Sequence, residues 1–203
     1  MKYIIATLLI ILILITFPKE TSRMTTLSPH DTILAFGDSL THGYGTRSDE
    51  SYPYVLSRLS GFKVINAGIN GETSREGLER LPDLLQDSSI KLMILCMGGN
   101  DIIQRKSYEQ LKANLKTMIQ MAKEKDIEVL LVSVPEFGMF GLSSLSLYKE
   151  VADEEGIPVI DSLLADILND RSLKNDQVHP NAKGYKRMAE EIFRTLKKHG
   201  WTE

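Results

Sequence analysis

Five short apolar runs, separated by longer amphipathic stretches, constrain this chain more than any other feature. The runs are Thr32–Phe36, Lys63–Ala67, Lys91–Met97, Glu128–Val134 and Pro158–Asp161. Each is too short for a helix of its own and is apolar or β-branched, which suits a strand. Between them apolar residues recur at helical spacing. In Tyr108–Lys125 the stripe is Leu111, Leu115, Met118, Ile119 and Ala122, with Lys112, Lys116 and Lys123 outside it. The last stretch repeats the pattern with Tyr185, Met188, Ala189, Ile192, Phe193 and Leu196, opened by Pro180 and closed by Gly200. Strands that alternate with helices pair in parallel through right-handed crossovers, so the expected fold is α/β, a sheet covered on both faces. In such folds ligands bind at the carboxyl ends of the strands.

A length of 203 residues suits one domain. The net charge of -3, with 25% charged residues, is ordinary for a globular protein and argues against a surface for polyanions, so nucleic acid is not an expected partner. Cys96 is the single cysteine, which excludes an internal disulfide and a cysteine-based metal cluster. It lies within an apolar run and reads as a small buried hydrophobe. His30, His42 and His199 show no ligand spacing with carboxylates, so no metal is expected.

The start of the chain reads differently. After Met1-Lys2-Tyr3 comes an apolar stretch from Ile4 to Phe17, interrupted only by Thr7 and Thr16. A membrane-spanning helix wants about 20 apolar residues, and this shorter run behind one positive charge follows the grammar of a signal peptide. No small-x-small cleavage site follows, so residues 1–17 read as a signal peptide or a short signal anchor. In either form the domain is exported, to the periplasm or another extracytoplasmic site, and an uncleaved segment would hold it at a membrane. Pro18 to Asp31 reads as a linker, and 32–203 as the folded domain.

Three loops that follow expected strands carry unusual residues. Gly37-Asp38-Ser39-Leu40-Thr41 places a serine at a strand-to-helix turn, where its Oγ would sit at the helix's positive end. Asp38 or Ser39 could equally be a plain N-cap. Ala67-Gly68-Ile69-Asn70-Gly71-Glu72-Thr73 and Gly98-Gly99-Asn100-Asp101 both combine glycines with an asparagine. Glycine lets a backbone N–H approach a ligand and asparagine offers a side-chain N–H, so these loops could form an oxyanion hole or simply be turns. No G-x-G-x-x-G follows the first strand and no phosphate-binding P-loop occurs. Near the C-terminus, Asp176-Gln177-Val178-His179-Pro180 spaces an acid and an imidazole so that they can hydrogen-bond on a turn, leaving Nε2 free as a base.

Taken in order, a serine after strand one, glycine after strand two, asparagine after strand three and an aspartate with histidine before the last helix supply every part of an acyl-transfer site. On these motifs the chain resembles the SGNH (GDSL) hydrolase family, and within it the bacterial periplasmic thioesterase, arylesterase and lysophospholipase group. The resemblance runs from about Thr32 to His199. It implies a flavodoxin-like three-layer sandwich with a five-stranded parallel sheet and no metal or organic cofactor. It implies Ser39 as nucleophile, His179 as general base and acid, and Asp176 as the residue that orients His179. The oxyanion donors it implies are the backbone N–H groups of Ser39 and Gly71 and the side chain of Asn100, with Gly68 the rival for the second.

Substrate must be read from local residues. Ile102 and Ile103 follow the asparagine loop, Val178 adjoins the base, and Phe137, Met139 and Phe140 crowd the segment Pro135–Leu142, which reads as a loop lining or covering an acyl site. These residues suit acyl chains longer than acetyl, in esters or thioesters, with a small-molecule acyl ester or lipid as partner. The alternatives are a carbohydrate or peptidoglycan O-acetylesterase of the same family, a binding module that has lost its chemistry, and a membrane-tethered scaffold. Oligomeric state is not legible.

Overall fold

The structure is a computed structural model that describes residues 26–138 and 141–203. The elements run β1 (Thr32–Gly37), α1 (Ser39–His42), α2 (Tyr52–Ser60), β2 (Lys63–Gly68), α3 (Ser74–Leu84), β3 (Ile90–Cys96), α4 (Gly99–Ile103), α5 (Tyr108–Lys123) and β4 (Glu128–Val132). They continue through β5 (Pro135–Gly138), β6 (Gly141–Ser144), α6 (Ser146–Glu155), β7 (Val159–Ile160), α7 (Leu163–Asn169) and α8 (Ala182–Lys198). Five strands form one sheet in the order β2-β1-β3-β4-β7, and every pairing in it is parallel.

This order dictates where the helices go. The chain steps from β1 outward to β2 on one side, then from β2 over to β3 and onward through β4 to β7 on the other. Right-handed crossovers in opposite directions put their helices on opposite faces. Accordingly α2 packs on α8 and α8 on α7, while α3 packs on α5 and α5 on α6. The point where the direction reverses lies between β1 and β3, and a crevice opens there at the strands' carboxyl ends.

Burial follows the expected stripes. Leu111, Leu115, Met118, Ile119 and Ala122 of α5 are buried, as are Tyr185, Met188, Ala189, Ile192 and Leu196 of α8. Phe193 is partly buried against the same core. The central strands β1 and β3 are buried along almost their whole length, as expected for strands covered on both faces. Cys96 is buried in β3.

The structure corrects the sequence reading in three places. Pro135–Leu142, expected as a loop, instead supplies β5 and the start of β6, an antiparallel hairpin outside the main sheet. Met139 and Phe140, between the two strands in sequence, lie outside the described residues. The last strand is shorter than Pro158–Asp161, comprising Val159 and Ile160 alone. Finally, the stretch expected as a linker is fastened to the domain from Thr26 onward. Thr26 Oγ1 donates to the Gly200 carbonyl, the Leu27 N–H donates to the Trp201 carbonyl, and Leu27 and Trp201 are both buried in the core. The apolar segment Ile4–Phe17 lies outside the described residues, and no helix among those described is long and apolar enough to cross a membrane.

Candidate active site

Ser39 is the first residue of α1, directly beyond β1, and Asp38 is its N-cap, with Oδ1 accepting the Leu40 N–H at 3.0 Å. With only four residues, α1 contributes a few free N–H groups rather than a developed helix dipole. His179 comes from the turn before α8, yet its Nε2 lies 3.0 Å from Ser39 Oγ, a contact across 140 sequence positions. The other ring nitrogen, Nδ1, lies 2.8 Å from Asp176 Oδ2. Asp176 Oδ1 accepts the backbone N–H groups of Val178 and His179, both at 2.8 Å. Partial burial works to raise the Asp176 pKa, but these N–H groups and the His179 ring outweigh it and hold the carboxyl below its ordinary range. A carboxylate so held keeps Nδ1 protonated and Nε2 free to take a proton from Ser39.

Two features that sequence reasoning missed hold this turn. The Tyr44 ring lies 4.5 Å, centroid to centroid, from the His179 ring, and the Tyr44 carbonyl accepts the hydroxyl of Tyr185 from α8. The Asn175 side chain donates to the carbonyls of Gly45 and Pro180, while its N–H donates to the His179 carbonyl. The turn that bears His179 is thereby tied to the loop after α1.

Asn100 lies in the first turn of α4, just beyond β3. One hydrogen of its amide goes to the Glu72 carbonyl at 2.9 Å; the nitrogen is also 3.5 Å from Asp38 Oδ2. Since an amide NH₂ carries two hydrogens, the second is held only by that long approach and is available to a substrate oxygen. Asp38 itself is buried, which pushes its pKa up to about 7. The N–H groups of Leu40 and Gly99 oppose the rise, and the charges of Asp101 and Glu72 add to it.

The two rival glycines have different reasons to be glycine. A Cβ on Gly68 would stand 2.1 Å from the His42 backbone nitrogen, so Gly68 is required by the packing of α1 on β2. Gly71 has open space around it but a φ of +79°, a turn conformation that favours glycine. Gly71 is exposed and does not line the cleft at Ser39; it borders a second groove with Thr73, Gln104 and Lys106.

That loop is braced from behind. Arg80 of α3 grips Glu72 with two bonds of 2.6 Å, donates to the Ala67 carbonyl at 2.8 Å and stacks over the Phe36 ring. Asp101, buried beside Asn100, accepts both the N–H and the hydroxyl of Ser74 at 2.7 Å, and Asn114 donates to the same hydroxyl. The loops after β2 and β3 are thus bonded to each other through buried groups. No local pattern announces these pairs, although a carboxylate directly after Asn100 and an arginine on the inner face of α3 were visible residue types.

A cleft opens beside Ser39, His179 and Asn100. Of the residues expected to contact substrate, Ile102, Ile103, Phe137 and Val178 line it, while Met139 and Phe140 lie outside the described residues. Pro135 and Leu142, the ends of the segment expected to line the site, complete an almost wholly apolar wall together with Leu40, Val134 and Leu168, which the sequence reading did not single out. His30, His42 and His199 take no part in it.

The parallel sheet, with this cluster at its topological switch point, defines a three-layer α/β hydrolase of ester bonds. The chain belongs to the GDSL-like lipase/acylhydrolase family, whose model matches residues 35–187. It is 30% identical to the thioesterase 1/protease 1/lysophospholipase L1 of Escherichia coli K12, over 74% of this chain and 76% of that protein. It is likewise 30% identical to esterase TesA of Pseudomonas aeruginosa, over 86% of this chain and 92% of that protein. Its fold superposes on a crystal structure of TesA with a TM-score of 0.75 at 27% identity, covering 83% of this chain and 99% of the other.

Proposed function

We propose that this enzyme hydrolyses carboxylic esters or thioesters of medium to long acyl chains through a Ser39–His179–Asp176 triad. The observation that carries the reading is the unbroken chain of short contacts, Ser39 Oγ to His179 Nε2 at 3.0 Å and His179 Nδ1 to Asp176 Oδ2 at 2.8 Å, set beside an apolar cleft. His179 takes the Ser39 proton as Oγ attacks the acyl carbon. The negative oxygen that forms is met by the Ser39 N–H and the Asn100 amide; Gly71, which borders the neighbouring groove, is left out of this set. His179 then protonates the leaving alcohol or thiol, and water, activated by the same imidazole, releases the acid.

The apolar wall supports the choice of acyl chain. Each buried methylene contributes about 0.8 kcal/mol, so three or four favour the longer chain over acetate by about 60- to 200-fold. The arylesterase, thioesterase and lysophospholipase names of the relatives fit such substrates. A sugar acetylesterase would need an aromatic platform, and the single tryptophan, Trp201, is buried in the core. Export rests on the grammar of residues 1–17.

A fluorophosphonate should add once, to Ser39, and leave a Ser39→Ala variant unmodified. Across p-nitrophenyl esters, kcat/KM should rise from acetate toward octanoate. Labelling of the Ser39→Ala variant at the wild-type rate would overturn the nucleophile. A steady fall from acetate to eight carbons would overturn the chain-length reading in favour of an acetylesterase.

A further inference from the structure

The side wall of the acyl cleft depends on the β5–β6 hairpin, and two-stranded hairpins are marginal unless held from outside. Phe137 of β5 and Leu142 of β6 are directly opposed in its register, so their side chains share one face, and both line the cleft. Asn169, the last residue of α7, meets Leu142 with both ends of its amide. Its Oδ1 accepts the Leu142 N–H at 3.1 Å and its Nδ2 donates to the Leu142 carbonyl at 2.8 Å. In this way one side chain imitates a neighbouring strand. Because Leu142 spends both backbone groups on Asn169, it stands opposite Phe137 as a non-hydrogen-bonded pair, the kind whose side chains approach most closely.

A second observation points to the same contact. Gly141, next to Leu142, has a φ of +121°, and a Cβ there would stand 2.9 Å from Asn169 Oδ1. The backbone is bare where the amide approaches. Leu168, the residue before Asn169, itself lines the cleft, so the clamp joins two parts of one wall. Among the described residues, the hairpin's other side-chain hydrogen bonds to the domain, Tyr108 to Glu136 and Ser144 to the Asp161 carbonyl, touch neither residue of the Phe137–Leu142 pair.

We propose that Asn169 is a specificity-determining residue, which by clamping Leu142 holds the Phe137–Leu142 pair as the wall against which an acyl chain packs. It is a positioning residue that never touches the reacting carbonyl. The proposal rests on the acyl-cleft reading given above, and its effect should fall on chain-length selectivity and not on chemistry. An apolar wall binds ground and transition states alike, so its loss should raise KM for long chains with kcat little changed.

The test compares wild type with Asn169→Ala and Asn169→Asp on p-nitrophenyl acetate and octanoate. The aspartate keeps the acceptor for the Leu142 N–H but turns a carboxylate toward its carbonyl. For Asn169→Ala we expect the octanoate-to-acetate ratio of kcat/KM to fall about tenfold relative to wild type, through KM, with acetate changed less than twofold. We expect the same direction for Asn169→Asp, and faster hydrogen exchange at the Leu142 amide in Asn169→Ala. A ratio unchanged in both variants, or parallel losses on both esters, overturns the clamp. The wild-type profile alone judges the medium-chain reading, while the ratio of variant to wild type judges Asn169, so the two can fail separately.

Discussion

The carboxylate of Asp38 faces the side-chain amide of Asn100 with Oδ2 3.5 Å from Nδ2, at the point where β1 and β3 both end. Burial pushes the Asp38 pKa up to about 7, against an ordinary value of 3.8. Between those two pH values the unfolded chain has lost a proton that the folded protein keeps, so Asp38's contribution to stability falls as pH rises and levels off above about 7. Asp38→Asn abolishes that titration. We expect the variant to be clearly destabilised at pH 5, because its amide keeps one acceptor oxygen and turns its NH₂ toward one of the two N–H groups, of Leu40 or Gly99, that the Asp38 carboxyl accepts. Between pH 5 and pH 8 the gap to wild type should narrow by on the order of 3 kcal/mol. Urea unfolding of both proteins at the two pH values checks this; a constant or widening gap contradicts it.

Asp176→Asn should leave the fold intact, since Asp176 is half exposed and its replacement can still accept the N–H groups of Val178 and His179. What changes is the charge behind His179 and the tautomer it selects. We expect kcat to drop by about 100- to 10,000-fold with an unchanged circular dichroism spectrum. Near wild-type turnover would mean that another group orients the imidazole.

Asn100→Ala removes the donor proposed for the oxyanion and also the bond to the Glu72 carbonyl. Loss of such a donor costs about 100- to 1,000-fold in kcat, with KM nearly constant. If KM rose while kcat held, Asn100 would be a binding or turn residue and the oxyanion assignment would fail. Thermal melts alongside the kinetics separate loss of the fold from loss of chemistry.

Arg80→Ala leaves the Glu72 carboxylate, 6% exposed, without its partner. Breaking a buried pair from one side destabilises by about 3 to 5 kcal/mol, whereas replacing both members by neutral groups costs much less. The double variant Glu72→Gln, Arg80→Met should therefore unfold at higher denaturant concentration than Arg80→Ala alone. Equal losses in the two would show that Arg80 acts through its bond to the Ala67 carbonyl and its stacking on Phe36 instead.

The amino-acid sequence by itself determined the alternation of strands and helices, the parallel sheet and the loops at which a site could form. Those features are written locally, in short apolar runs for the strands and in a spacing of three or four residues for the helices, and they survive in a linear reading. Ser39, Asn100, Asp176 and His179 stood out for the same reason, since each sits in a short motif at the end of a recognisable element. The tertiary structure alone decided which distant groups meet. Arg80 on Glu72, Asp101 on Ser74, Tyr44 on His179, Asn169 on Leu142 and Leu27 on Trp201 are contacts between loops and helix ends, where no period links the partners. The hairpin over the cleft escaped notice because Gly138 and Gly141 flank its turn, and glycine says only that the chain bends. The raised pKa of Asp38 was equally invisible, because burial sums the neighbours on every side of a carboxylate and only the assembled chain supplies them.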